Sequence, residues 1–337
     1  MKRLYIFRSN LKILEYYHKF KKLDGFKKKC HDFYLLMGLE YLEMNEFDEV
    51  VVWRLHPKDK EQKDIIFDVN GKKFIQKWVH NFKECLNYPS PTISFFRGGF
   101  KEYCKITQMN HKFFNIRLYL GAGKRVTPQY NGRYSRILIE GDQDRKDDRI
   151  PFLKTCNPNI FFPKQEKEIY DICFISNFTQ IKMKGQRFLF DKIMSSDFLQ
   201  NKKIIHLGNE PQFGKKLAKN MGIKNIEFLG WMDRKQVNNY LNKSKFGIVC
   251  STQDDGCPRV STEILCSGTP LLIRDTTRLL PYYKNYGVVE FNRDNFDDQI
   301  EYAFKNYNKL KSDLMNNMVR FCYYNICQKN IKHWKKI

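Results

Sequence analysis

The chain has 337 residues, a length that divides naturally into two domains of ordinary size. Hydrophobic residues make up 42% of it, enough for real cores, which excludes a disordered chain. The net charge of +23 suggests a polyanionic partner or an anionic surface, yet Lys is spread along the whole chain beside abundant Asn, Ile, Phe and Tyr, the mix that AT-rich coding produces by itself.

In chain order, RLYIF reads as a short strand, HDFYLLMGLEYLEM as a helix and FDEVVVWRL as a buried strand. TISFFRGGFKEYCKI reads as strand, Gly turn and helix, NIRLYLGAGKRV as a strand entering a Gly-rich loop, and SRILIEGD as a strand ending in acids. The segment KTCNPNIFFPKQEKE, with its prolines, asparagines and charges, reads as a domain connection. Beyond it the alternation is cleaner. YDICFISN, KKIIHLG, IEFLG, FGIVCS, PLLI and NYGVVEF are strands. KGQRFLFDKIM, FGKKLAKNMG, RKQVNNYLNKS and VSTEILCSG are the intervening helices, with Gly222 and Gly268 placed to end two of them. From about Asp297 the chain reads as helical and basic. Strand–helix repeats with short turns predict parallel, doubly wound α/β sheets.

Ten Cys form no Cys-x-x-Cys pair and no Cys/His cluster at zinc spacing, so no metal site is expected. Several sit in apolar runs such as FGIVCS and EILCSG, which fits free thiols in a reducing, cytoplasmic compartment. The N-terminus lacks a long apolar h-region, and no stretch approaches a membrane span. Peripheral contact with an anionic membrane surface stays compatible with the charge.

In an open parallel sheet, ligands bind outside the carboxyl ends of the strands. Three loops leave such ends: SNFTQIKMKG, GNEPQF and STQDDGCPR. The last carries Asp254 and Asp255, and Glu263 follows in the next helix. A sugar or ribose offers vicinal hydroxyl donors that a carboxylate accepts in pairs. Backbone N–H groups of Gly256, Cys257, Arg259 and Val260, near the helix N-terminus, suit a phosphate. Lys182, Lys184 and Arg259 are placed to neutralise a diphosphate. Taken singly, each of these features is also an ordinary capping or solvated residue.

Residues 155 to 295 resemble, segment by segment, the nucleotide-sugar domain of family 4 glycosyltransferases of the GT-B fold. The resemblance rests on IIHLGNEP, on FGKKLAKNMGIKNIEFLGWMDRKQVNNYLNKSKFGIVCS, on a Glu-x7-Glu motif present as Asp-x7-Glu, and on the trailing CSGTP turn. It implies that Asp255 contacts the donor sugar, Glu263 holds the ribose hydroxyls, and the amides of Gly256 and Cys257 face sugar and diphosphate. It places Lys184, followed by Gly185, on the diphosphate, and Trp231 and Met232 beside the base. The sequence departs from the family where Asp255 replaces the usual Glu and Cys257-Pro258-Arg259 replaces Phe-Gly-Leu. The family's Arg before the Lys is missing, with Asn177 near that position and Lys182 as a substitute. The Gly-Gly loop after the first strand is also missing, and Arg97-Gly98-Gly99 or Gly121-Ala122-Gly123 is a substitute for it.

The resemblance thus implies two Rossmann-like domains facing across a cleft. Residues 1–155 form the acceptor domain, 156–310 the nucleotide-sugar domain, and 311–337 a helical tail packing back on the first. The expected reaction is retaining, metal-independent transfer from a nucleotide-diphosphate sugar, with no cofactor, to a glycan or lipid-linked hydroxyl acceptor. On the acceptor side His31, Arg97 and Arg125, near loop ends, are the candidates. A nucleotide-sugar epimerase of the same fold is the alternative; it calls for a cleft His, and none of the seven His falls inside the matched donor motifs. A basic nucleic-acid-binding protein is the other, but no recognisable module with clustered aromatics is visible, so no nucleic acid is expected.

Overall fold

A computed structural model describes residues 1–8, 20, 22–55, 63–97, 106, 112–121, 134–140, 150–178, 181–252, 258–277 and 279–335, with the backbone alone at 121, 136, 181 and 182. The chain divides into two units. Unit 1 comprises Met1–Asn159 and Tyr323–Ile337, and unit 2 comprises Ile160–Cys322. Each is a mainly parallel sheet layered with helices, as the alternating signals predict. Among the described residues no helix is long and apolar enough to cross a membrane.

Unit 1 contains β1 (Arg3–Arg8), α1 (Leu23–Lys29), α2 (Phe33–Glu43), β2 (Glu49–Leu55), β3 (Ile65–Val69), β4 (Lys72–Val79), β5 (Ile93–Arg97), β6 (Ile116–Gly121), β7 (Arg136–Ile139) and β8 (Ile150–Pro151). The strand order is β3-β4-β2-β1-β5-β6-β7-β8. All pairings are parallel except β3 with β4. Strand β1 is buried on both faces, which is why it reads as an unbroken apolar run. One face carries an aromatic core of Tyr5, Phe7, Trp53 and Phe96, with the Phe7 and Phe96 rings stacked at 4.7 Å. Helix α2 is apolar nearly all round and correspondingly buried. Its N-cap is Asp32, whose carboxylate accepts the N–H groups of Tyr34 and Leu35.

The β3–β4 hairpin is absent from the strands expected above. Its signal is the pair Asn70-Gly71, both with positive φ, between IIFDV and KKFIQKWV. Asn-Gly between strand-like runs is the strongest short-range hairpin mark. The helix expected after β5 lies outside the described residues apart from Ile106.

The C-terminal helix Tyr323–Trp334 belongs to unit 1. Its Asn330 amide bonds both the N–H and the C=O of Leu153. Trp334 is fully buried and packs on Tyr41, Phe95 and Phe152.

Unit 2 contains β9 (Tyr170–Ile175), α3 (Ile181–Lys184), α4 (Gln186–Ser195), α5 (Asp197–Gln200), β10 (Ile204–Leu207), α6 (Pro211–Asn220), β11 (Ile226–Gly230), α7 (Arg234–Asn242), β12 (Ser244–Val249), α8 (Arg259–Cys266), β13 (Leu271–Arg274), α9 (Pro281–Lys284), β14 (Val288–Phe291), α10 (Phe296–Lys305) and α11 (Tyr307–Asn316). The order β11-β10-β9-β12-β13-β14 is wholly parallel. The chain steps outward from β9 to β11, then returns to the other side of β9 with β12. The switch point therefore lies between β9 and β12.

Trp334→Ala removes the largest anchor of the C-terminal helix. The expected cost is about 3–5 kcal/mol, read as a lower urea midpoint for the unit-1 transition while unit 2 keeps its own.

Candidate functional site

The carboxyl ends of β9 and β12 flank the switch point of unit 2, and the loops and helices that follow carry most of the donor-side candidates. Asn177 follows β9. Its side-chain oxygen accepts the N–H of Asn209, at 3.0 Å, and its C=O accepts the buried Gln186 amide at 2.9 Å. Asn177 thus staples the loops after β9 and β10 to the start of α4. Gly208 lets those two loops meet: a Cβ there would lie 1.7 Å from the Ser176 C=O.

Lys184 ends α3, and Gly185 at φ +72° turns the chain into α4. A Cβ on Gly185 would lie 1.8 Å from the carbonyl oxygen of Cys250, at the end of β12. The Thr252 N–H donates to the Met183 C=O at 2.9 Å, and the Thr276 hydroxyl donates to the Ser251 C=O. The glycine after Lys184 is therefore what allows α3 to seat on β12. It holds the lysine, partly exposed, at the switch point.

Across that point α8 begins with Arg259, which is exposed. Glu263, on the same helix, is 1% exposed. Arg234, the first residue of α7, donates to its Oε1 at 2.6 Å. Its Oε2 is buried with no hydrogen-bond partner among the described residues. Sequence reasoning missed Arg234; its one mark is a position right after the helix-capping Asp233. Trp231 and Met232 follow β11, the first 70% exposed and the second partly buried. Asp254, Asp255, Gly256 and Cys257 lie outside the described residues, as does the side chain of Lys182.

One expectation is corrected. A histidine does fall in the stretch IIHLGNEP: His206, on β10. It is fully buried among the rings of Phe174, Phe178 and Phe228, with Nε2 3.0 Å from the Ser176 hydroxyl. Burial pushes its pKa down to about 4, so it is neutral at pH 7. It is a core residue rather than a cleft base.

On unit 1, Arg97 ends β5, and His31, partly buried, precedes the N-cap of α2. Gly98, Gly99 and Arg125 lie outside the described residues. Arg97 enters a buried network that the sequence did not reveal. Its Nε donates to the Tyr34 hydroxyl at 3.1 Å, and that hydroxyl donates to Glu140 at 2.7 Å. The Glu140 carboxylate also faces Lys154 at 3.1 Å and Arg97 at 3.5 Å. Burial pushes its pKa up, but Lys154, Arg97 and the Tyr34 bond outweigh it and hold the carboxyl at about 2. Each cation at such range attracts the carboxylate by roughly 5 kcal/mol at an effective dielectric of about 20, which is why desolvation loses.

The family described as "Glycosyl transferases group 1" matches residues 162–319, nearly all of unit 2 and less than half of the chain. No curated protein matches the chain in sequence. Among solved structures, a glycosyltransferase from Rickettsia africae superposes with a TM-score of 0.67 at 12% identity, over 99% of this chain and 98% of its own. Sucrose-phosphate synthase from Thermosynechococcus elongatus gives 0.65 at 12%, over 100% and 99%. HepE from Anabaena, solved in complex with UDP, gives 0.65 at 12% over both full chains. The likeness shows a GT-B-type fold built from two parallel α/β domains.

Gly185→Ala combines a left-handed φ with a backbone collision. Gly222 has nearly the same φ, +71°, but open space around it. Gly222→Ala should cost about 1 kcal/mol and Gly185→Ala several times that, compared by thermal melting of the two variants. The buried groups also predict two acid windows. The unfolded chain protonates His206 at about 6.5 and the folded one only at about 4, so unit 2 loses stability as pH falls from 6.5 to 4. Glu140 has the folded value depressed, so unit 1 keeps that contribution above the ordinary carboxylate range and loses it as pH falls toward 2. His206→Gln should flatten the upper window in melting curves taken between pH 7 and 4 and leave the lower one in place.

Proposed function

We propose that this chain is a glycosyltransferase that moves a sugar from a nucleotide-diphosphate donor to an acceptor hydroxyl. Glu263 carries the reading. A carboxylate oxygen buried without a donor is costly, and this one sits on the helix that follows the switch-point strand of a parallel sheet. Ribose hydroxyls are donors of the kind it lacks. Arg234 orients the carboxylate by occupying the other oxygen. The group 1 match over residues 162–319 supports the same reading. HepE was solved with UDP, which makes uridine diphosphate the first headgroup to test.

In the reaction the bond from the sugar's anomeric carbon to the diphosphate oxygen breaks. A bond from that carbon to the acceptor oxygen forms, and the acceptor's proton passes to the departing diphosphate or to water. Negative charge grows on the departing diphosphate. Lys184 and Arg259, with the amides of Gly256 and Cys257, would stabilise it, and Lys182 would add a second cation. Asp255 would orient the sugar, and Trp231 and Met232 would lie along the base. Asn177 acts through the backbone it staples. Membership of family 4, retention of configuration and independence of metal belong to the same proposal, as does a glycan or lipid-linked acceptor met in the cytoplasm or at a membrane surface.

Glu263→Ala should weaken UDP binding at least tenfold in isothermal titration, while the variant's far-UV spectrum stays that of the parent. Asp255→Ala should lower turnover more than donor affinity. Binding of none of the uridine, guanosine and adenosine diphosphates by the parent chain would remove the transferase reading.

A further inference from the structure

Arg274, the last residue of β13, is a cation that the fold holds in place without pairing it to an acid among the described residues. Strand β13 lies next to β12 in the unit-2 sheet, and the register Val249–Ile273 brings Arg274 beside Cys250, the residue after β12. The Cys250 carbonyl oxygen is also the seat of Gly185. Lys184 thus stands over the end of β12, and Arg274 stands one strand farther along the same carboxyl edge.

The guanidinium lies 4.2 Å from the centre of the Phe188 ring, in the first turn of α4. That ring stacks on Phe291 at 6.3 Å and meets Phe296 edge-on at 5.4 Å, so the support is rigid. Arg274 Nε is buried with no hydrogen-bond partner among the described residues. The residue as a whole is only partly buried, and the two Nη atoms, with no partner there either, face outward. The acids on the neighbouring elements are engaged elsewhere: Asp297 of α10 with Lys192, and Glu290 of β14 with Lys284. Burial pushes the Cys250 thiol well up and the Arg274 charge opposes this only in part, so the thiol is neutral at pH 7. A guanidinium resting on a ring keeps its charge and its two-pronged donor edge, with part of its rotamer freedom already lost. Such a group suits the oxygen pair of a phosphate or a carboxylate.

Place along the edge selects the part of a ligand that would meet it. Neighbouring strands stand about 4.8 Å apart, so a ligand running from Trp231 after β11 to Lys184 over β12 crosses three spacings, roughly 14 Å. Its next group comes beside β13. We infer that Arg274 binds an oxyanion at the far end of the donor, either the distal phosphate or a carboxylate carried by the transferred sugar. The identity of the ligand rests on the transferase reading; the anion contact itself does not.

The test titrates the full chain, parent and Arg274→Gln, with uridine, UDP, UDP-glucose, UDP-glucuronate and inorganic pyrophosphate in a calorimeter. Thermal melting without ligand reports the folding of each variant. Arg274→Gln should bind uridine as the parent does and at least one anionic ligand about tenfold more weakly, with partial return in Arg274→Lys. A loss already present with UDP and pyrophosphate assigns the contact to the diphosphate. A loss confined to UDP-glucuronate assigns it to a carboxylate on the sugar. If Arg274→Gln does not fold, Arg274→Lys decides, since loss of the two-pronged edge must weaken the same ligand and spare uridine. Unchanged affinity for every anionic ligand overturns the inference, as does an equal loss for uridine and UDP, which marks Arg274 as packing support for Phe188 alone. If the parent binds pyrophosphate through Arg274 but no nucleotide, the anion contact stands and the transferase reading falls. If nucleotides bind and Arg274→Gln has no effect, the reading stands and this inference falls. Binding of none of the ligands by the parent removes both.

Discussion

Parallel pairing makes every strand of a sheet end on the same edge, and the chemistry of this protein depends on that constraint. The strand interiors are mainly apolar, with Gln76, Ser94 and His206 as buried exceptions, and the candidate site residues lie where the strands stop. At the switch points neighbouring connections diverge to opposite sides and leave a crevice. Each unit has one such point, between β9 and β12 in unit 2 and between β1 and β5 in unit 1. Lys184 and Glu263 border the first, and Arg8 and Arg97 border the second.

The two edges differ in how they handle buried charge. In unit 2 a single carboxylate, Glu263, is half satisfied by Arg234 and keeps one oxygen without a donor among the described residues. In unit 1 the Arg8 and Arg54 guanidiniums rest on the Tyr34 and Trp78 rings, Arg8 pairs with Asp32, and Glu140 faces Lys154. Desolvation penalises both arrangements in the isolated chain. A diol donor would relieve the first.

Much of the fold was legible in local sequence because its strands are short, apolar and punctuated. KKIIHLG, FGIVCS and PLLI each became a buried strand, and Gly222 and Gly268 each follow a helix end with positive φ. The β3–β4 hairpin was overlooked although Asn70-Gly71 marks it, since β3 alternates exposed and buried residues and β4 carries polar Lys72, Lys73, Gln76 and Lys77, so neither reads as an unbroken apolar run. Of the candidate site, Lys184, Glu263, Trp231 and Met232 were named from motif order, as what the family resemblance implies, and Arg259 from its place near a helix start. Arg234 was not, because its partner lies 29 residues away and no spacing rule links two helix starts. The Tyr34–Arg97–Glu140–Lys154 network was hidden for the same reason, being drawn from α2, the end of β5 and the segments after β7 and β8.

By itself the sequence determined the alternation of strand and helix, the position of the connecting loops and the residue types at the strand ends. These follow from periodicity and from turn chemistry, which act over a few residues. Only the tertiary structure decided which of those residues meet. The row Arg8, Arg54 and Arg97 exists because strand order places β1 between β2 and β5, and the close seat of Gly185 on Cys250 exists because β12 returns beside β9. Register and strand order are set by packing across the whole sheet, so charge balance at a sheet edge is a property that local sequence does not carry.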